Sequence, residues 1–383
     1  MKLTRWSSLC CAVLMLGGCS TISEWIHGKN NPATMPVKLV EFSQTAQFNV
    51  RWRADLGDSG ASVLQPAISK DAVFGVSGKG ALSRLDRSTG ALAWRIESGI
   101  RVSGGVGAGE GIVVVGGDKG DVLAYSEDGK LRWKSKVSSE VLSTPQIAEG
   151  MVVVRSGDGR ITGMNVSDGK RAWVYERSTP ALVVRSHAGV VIQRNMVFAG
   201  FAGGKLAAIS IKDGSVQWEN AVSQPRGNTE LERISDITSD PVVDDEQVCA
   251  IAFQGRVACF DVAQGSPLWT RDIASDKGMM LLRKFLYLTD VNGVLMALEK
   301  SSGNTLWKND QLSFRKNTPP YSVGNFTLTG DFEGHLHALN REDGRFVARI
   351  KLDDTAILGA PMALDDGLLV QTQGGGLYSL SLH

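Results

Sequence analysis

One fifteen-residue pattern, closed by a tryptophan, recurs along this chain and decides what it can fold into. The pattern is Gly-x-Φ-x-x-Φ-(Asp/Asn/Ser/Glu)-x-x-x-Gly-x-x-x-Trp, with Φ apolar. Its first copy places Gly80, Leu82, Leu85, Asp86, Gly90 and Trp94 at these positions. It returns from Gly159 to Trp173, Gly204 to Trp218, Gly255 to Trp269 and Gly293 to Trp307. The copy from Gly120 to Trp133 is one residue shorter in its turn, and the copy from Gly334 ends on Ala348 with no aromatic. Gly375, Leu377 and Leu380 begin an eighth copy just before the chain ends, and Trp52 matches its missing last segment. Seven of the nine tryptophans fall on this period, so chance placement is no competitor.

Each part of the unit has a physical reading. Apolar runs such as Ile112–Val115, Met151–Val154 and Leu368–Val370 are buried strands. The glycine that follows allows the positive φ of a hairpin turn. Gly-x-Φ-x-x-Φ is the next strand, and the acid-to-glycine stretch is a turn in which the carboxylate bonds backbone. The tryptophan segment is an outer strand whose large flat side chain can cover the seam to a neighbour. Pro or small residues open the inner strands, as at Pro66, Gly104, Pro145, Pro241 and Pro361. Four strands in about 40 residues make a propeller blade. A length of 383 residues would otherwise suggest two or three domains, but the repeat predicts one all-β, eight-bladed β-propeller of four-stranded antiparallel blades over residues 48–383. The N-terminal strand near Trp52 completes the last blade and closes the ring, which removes two free edges.

The N-terminus carries an address. Lys2 and Arg5 precede an apolar stretch from Trp6 to Leu16, too short for a spanning helix of roughly 20 residues. It closes as Leu16-Gly17-Gly18-Cys19, which resembles the lipobox of bacterial lipoproteins. The expected organisation is a signal peptide over 1–18, lipidation at Cys19, and a flexible tether over 19–47. A flexible chain from Ser20 to Gln47 reaches roughly 26–32 Å root mean square. Ser20, where sorting rules would otherwise place Asp, implies the outer membrane, on its periplasmic face. Formal charge is +1, and removal of Lys2 and Arg5 leaves −1; without a basic stripe the chain has little grip on nucleic acid. After Cys10, Cys11 and Cys19, only Cys249 and Cys259 remain. They sit in one expected hairpin, as a cross-strand disulfide or as two buried thiols.

The repeats resemble those of pyrroloquinoline-quinone dehydrogenases, which also occur in non-catalytic propellers. Lipobox, tether and eight blades together resemble the BamB lipoproteins of the outer-membrane β-barrel assembly machinery, over essentially the whole chain. The dehydrogenase reading implies a quinone, a Ca²⁺ ligand cluster and often a vicinal disulfide. The only vicinal cysteines, Cys10 and Cys11, leave with the signal. No enzyme activity, cofactor or metal is expected, and a dehydrogenase-like or ligand-binding propeller is the alternative. Gly57-Asp58-Ser59-Gly60 copies a protease nucleophile signature, but its only upstream histidine is His27 in the tether; a turn is expected. His335 and His337 share one strand face and are expected exposed or between blades rather than on a metal. The glycines at 104, 105, 107 and 109 lack dinucleotide register and read as a strand.

Function is expected where the period breaks. From each tryptophan position to the next anchoring glycine the spacing is 24 to 28 residues, except for 31 after Trp173 and 37 after Trp218. These consecutive insertions should lie side by side on one rim, and such insertions often bind. Unless Leu182 and Val184 merely start the next inner strand, aliphatic residues beside arginine and acid make an interface patch. The resemblance implies that Leu182, Val184 and Arg185 match a Leu-x-Leu-Arg motif contacting the POTRA domains of the barrel-forming subunit BamA. It implies a partner-contacting role for Asp236, with Thr238 standing where the family has a second aspartate. Glu230 and Arg233 complete the expected protein-binding set. Unfolded outer-membrane proteins are a further expected partner, through β-augmentation on outer strands.

Overall fold

The computed structural model describes residues 34–383; the signal, the lipobox and Cys19 lie outside the described residues. Eight four-stranded antiparallel sheets follow one another around a ring. Blade 1 spans residues 67–97, blade 2 102–136, blade 3 146–175 and blade 4 190–221. Blade 5 spans 242–271, blade 6 278–309 and blade 7 321–351. Blade 8 combines three strands between Met362 and Leu382 with Phe48–Asp55 as its outer strand. Thus the ring is closed by both chain ends, Trp52 pairing opposite Ser379.

The middle strands are buried on both faces, which is why they read as unbroken apolar runs; Ile112–Gly117 is buried throughout. The core is correspondingly a set of seams between blades. Phe198, Leu206 and Trp218 of blade 4, for example, pack against Val248, Ala250 and Phe260 of blade 5. The outer strands bury little except the tryptophan: in Pro267–Arg271 only Trp269 is buried.

Each tryptophan reaches across its seam in the same way. The indole N–H of Trp269 donates to Lys300 O at 2.7 Å, and Trp133, Trp173 and Trp307 donate to Val166, Ile211 and Arg341 O at 2.8, 2.8 and 2.9 Å. Trp52, Trp94 and Trp218 make the same bond, to Arg87, Glu127 and Val262 O at 3.1 to 3.4 Å. Each accepting carbonyl lies in the acid-to-glycine turn of the next blade, and the indole lies against that turn's glycine. A Cβ on Gly303 would stand 2.5 Å from the Trp269 ring, and its φ of +71° already excludes most side chains. The motif's last glycine and the preceding blade's tryptophan are therefore two halves of one contact.

The seam from blade 7 to blade 8 has Ala348 in place of a tryptophan, and the N-terminal chain fills it. Ala46 and Phe48 join Val347, Ala348 and Leu380 in one buried cluster. Thr45 and Ala46 N–H both donate to Val347 O, and the Phe42 ring stacks on Phe346 at 5.2 Å. Val37 N–H donates to Ser313 O, while Arg315 and Arg349 donate to the carbonyls of Val37 and Val40 at 3.0 Å. Residues 37–47 are therefore a strap on blade 7, which corrects the expectation of flexibility through Gln47. Sequence pattern missed it because the strap is held by its backbone carbonyls, which any residue supplies.

His335 and His337 are not exposed. His337 is fully buried beside Asp331, and Arg315 bonds both Asp331 and Glu333. Asp331, Glu333 and His335 converge closely enough to resemble a metal site, but the Arg315 guanidinium already supplies their positive charge. Arg349 Nε donates to His337 Nδ1 at 3.0 Å, and His337 Nε2 faces Asp331 Oδ2 at 3.1 Å. A guanidinium can only donate, so Nδ1 is the acceptor and the imidazole is neutral. Cys249 and Cys259 stand opposite each other on paired strands and form a disulfide. Gly107 lies in the inner strand Val102–Gly109, where a Cβ would meet Pro145 O of the next blade at 2.2 Å. Ser59 is buried in a turn, its hydroxyl donating to Gln373 O at 3.1 Å.

Two outcomes test this frame. Trp269→Ala should cost about 3–5 kcal/mol, as truncation of a buried aromatic does, read from the denaturant midpoint. Burial pushes His337 down to about 4, whereas an unfolded histidine titrates near 6.5. The unfolded chain therefore binds the extra proton first, and stability should fall as pH drops from about 6.5 to 4, by up to about 3 kcal/mol. His337→Gln should flatten that part of the stability–pH curve; an unchanged slope refutes the assignment.

Candidate functional site

Strand direction alternates within each blade. The hairpins joining second to third strands therefore share one face of the ring with the connections between blades. Both long insertions, residues 176–189 and 222–241, belong to that face. Their neighbours there include the hairpin turns of blades 3 and 4, at Ser156–Gly159 and Ala202–Gly204.

The two insertions are joined by a buried carboxylate. Asp236 is 4% exposed; its Oδ2 accepts the Val184 N–H at 2.7 Å and its Oδ1 the Gly203 N–H at 2.9 Å. Asp236 was expected to touch a partner; in the folded chain it first serves the fold. The side chain is internal and brackets the 180s loop against blade 4. Thr238, at the second aspartate position, is 8% exposed. Leu182 and Val184 do not begin the next inner strand, which starts at Val190.

The surface of the patch is amphipathic. Leu182 is 40% and Val183 44% exposed, while Val184 is half-buried. The Arg185 side chain projects into solvent with its Nε 3.5 Å from Glu140 Oε1. Glu140 is held below the usual carboxylate range, first by the Ser139 hydroxyl and more weakly by Arg185. An exposed pair of this kind contributes little to stability, so Arg185 can be redirected to a partner at small cost.

In the longer insertion, Glu230 and Arg233 are exposed and face each other at 3.4 Å. Arg233 Nε also donates to Gly227 O, and Glu232 accepts the N–H groups of Asn228 and Thr229. These contacts shape the loop tip and leave Leu231, 67% exposed, at its crest. Leu231 was missed by sequence reasoning. Its signal was available: a single apolar residue inside the polar run Thr229–Arg233. Val291, 44% exposed in the blade 6 hairpin turn, continues the apolar character of this face.

Asp236→Ala should free Val184 and Gly203 from their shared acceptor. The expected cost is about 1–3 kcal/mol, with faster amide exchange at Val184 and earlier proteolysis between residues 179 and 188. Unchanged exchange there would refute the bracket.

Comparisons with known proteins find relatives over nearly the whole chain. The family profile described as "Outer membrane protein assembly factor BamB" matches residues 78–309. A relative of the same description from Nitrosomonas eutropha is 41% identical over 381 residues, covering 97% of this chain and 93% of its own. One from Escherichia coli K12 is 30% identical over 382 residues, covering 97% of each. The crystal structure of BamB from Moraxella catarrhalis superposes with a TM-score of 0.81 at 24% identity, covering 88% of this chain and all of that one.

Proposed function

The chain belongs to the BamB family of outer membrane protein assembly factors, and from that membership we propose a non-catalytic scaffold that docks other components of the machinery on the face just described. The partner bound there is the POTRA region of a BamA-like barrel subunit. Leu182, Val183, Val184 and Leu231 supply apolar contact, and Arg185 supplies the directional charge. Cys19 carries the lipid that anchors the protein to the periplasmic face of the outer membrane. The propeller itself carries out no reaction; it holds partners and substrates in place.

One observation carries the docking site. The Asp236 bond to the Val184 N–H makes two separate insertions a single preorganised patch, so little ordering entropy remains to be lost on binding. A secondary role in receiving unfolded barrel proteins is supported by the outer strands. Leu92, Leu131, Val216, Leu268 and Leu306 are 46–54% exposed along open strand edges, which suits β-augmentation by extended chains.

Arg185→Glu should abolish co-purification with the barrel subunit from solubilised membranes and leave the melting temperature within a few degrees. Retained co-purification would remove this site. Replacing residues 1–19 with a cleavable secretory signal that lacks a lipobox should shift the protein to the soluble periplasmic fraction; persistence in the membrane fraction would remove the anchor.

A further inference from the structure

A pocket of about 170 Å³ opens at the base of the docking face, between blades 3 and 4. Val183, Val184 and Ser186 form its mouth, and Arg155, Phe201 and Asp236 its floor. Arg155 ends the strand Met151–Arg155, and its guanidinium lies over the Phe201 ring at 5.4 Å. Its Nη1 is buried and has no hydrogen-bond partner among the described residues.

The carboxylates around it favour its charge through space, Asp240 before Asp236, but their hydrogen bonds go elsewhere. Asp236 receives Val184 and Gly203 N–H, and Asp240 receives Gly189 N–H. Asp158, on the pocket wall, receives the Ser156 hydroxyl and the Arg160 guanidinium. Burial pushes Arg155 down to about 10, so it stays charged at neutral pH. A charged donor left unfilled in a secluded pocket is unfavourable, and a carboxylate is the group whose planar geometry matches a guanidinium. The cavity has room for about six waters at bulk density, enough for a carboxylate side chain.

We propose that this pocket receives an aspartate or glutamate side chain of the docking partner, with Arg155 as its buried counter-charge. The proposal rests on the docking reading above. It commits to a protein side chain because the mouth is continuous with the docking surface: Leu182 and Arg185 flank the residues that line it. A partner covering that surface closes the pocket and strengthens any ion pair inside it. Arg185 then guides an acidic partner at the rim, and Arg155 holds it at depth.

The test uses the full mature chain in detergent and, as probe, the purified POTRA region of the barrel subunit from the same organism. Arg155→Gln should weaken binding at least tenfold with little change in melting temperature, and Arg155→Lys less than Arg155→Gln. Neutralising one acidic residue of the probe should weaken binding to the wild type but not further to Arg155→Gln. Unchanged affinity in Arg155→Gln, with binding lost in Arg185→Glu, leaves the docking reading standing and overturns the pocket. A wild-type chain that does not bind the probe overturns both. Saturable stabilisation by acetate or succinate that Arg155→Gln removes, with POTRA binding unaltered, overturns the proposal in favour of a free small carboxylate. Should Arg155→Gln fail to fold, Ser186→Trp fills the same cavity with Arg155 in place. It must then weaken binding comparably, and unchanged affinity overturns the proposal.

Discussion

A tryptophan on the outer strand of one blade, bonded through its indole N–H to a turn carbonyl of the next, is the contact on which the ring depends. Blades in a propeller touch only their neighbours, so the structure is only as closed as its seams. The indole covers the outer edge of each seam with a large apolar plate and fixes the blade-to-blade angle through one directional bond. The facing glycine is needed because its φ is positive at every seam with a tryptophan and, except at Gly129, a Cβ would collide with the indole. The two most regular letters of the repeat are thus related through space, each tryptophan meeting the glycine of the following blade.

Where that contact is missing, the structure substitutes another. Blade 7 ends on Ala348, and blade 8 runs out of chain before its own turn. The strap over residues 37–47, followed by Phe48, covers this seam with apolar side chains and backbone bonds. Arg315 and Arg349, drawn inward by Asp331 and His337, give the strap's carbonyls their donors. Ring closure therefore has two layers, the paired strand containing Trp52 and the strap outside it. The strap reaches the ring at Ser313, in a connection on the same face as the two long insertions.

A rigid frame of this kind is suited to holding loops still. The 180s loop has few apolar anchors, yet its position is set by a buried carboxylate on the neighbouring insertion. Side chains that carry no fold-stabilising role, Leu182, Val183, Arg185 and Leu231, are consequently left on the surface in a defined arrangement. Such a surface can bind without a large ordering cost. Burial of charge beneath it, at Arg155, adds a directional element that a flat apolar patch lacks.

By itself the sequence determined the blade count, the strand roles and the closure through Trp52. These follow from local spacing: turn glycines, apolar runs and a tryptophan period leave one consistent topology. It also singled out the two insertions on which the proposed docking face rests, because insertions interrupt a period visibly. Only the tertiary structure decided what individual residues do there. Asp236 looked like a surface contact and is a buried bracket, since its acceptors' partners are backbone N–H groups from segments 33 and 52 residues away. Arg155 gave no signal, because an unfilled donor exists only once the chain is folded; Leu231 stood out only as one apolar residue in a polar run, outside the repeat's period. The strap on blade 7 was likewise invisible, because it is recognised through carbonyls that every residue carries. Periodic features reach the sequence because they repeat; single contacts between distant segments do not.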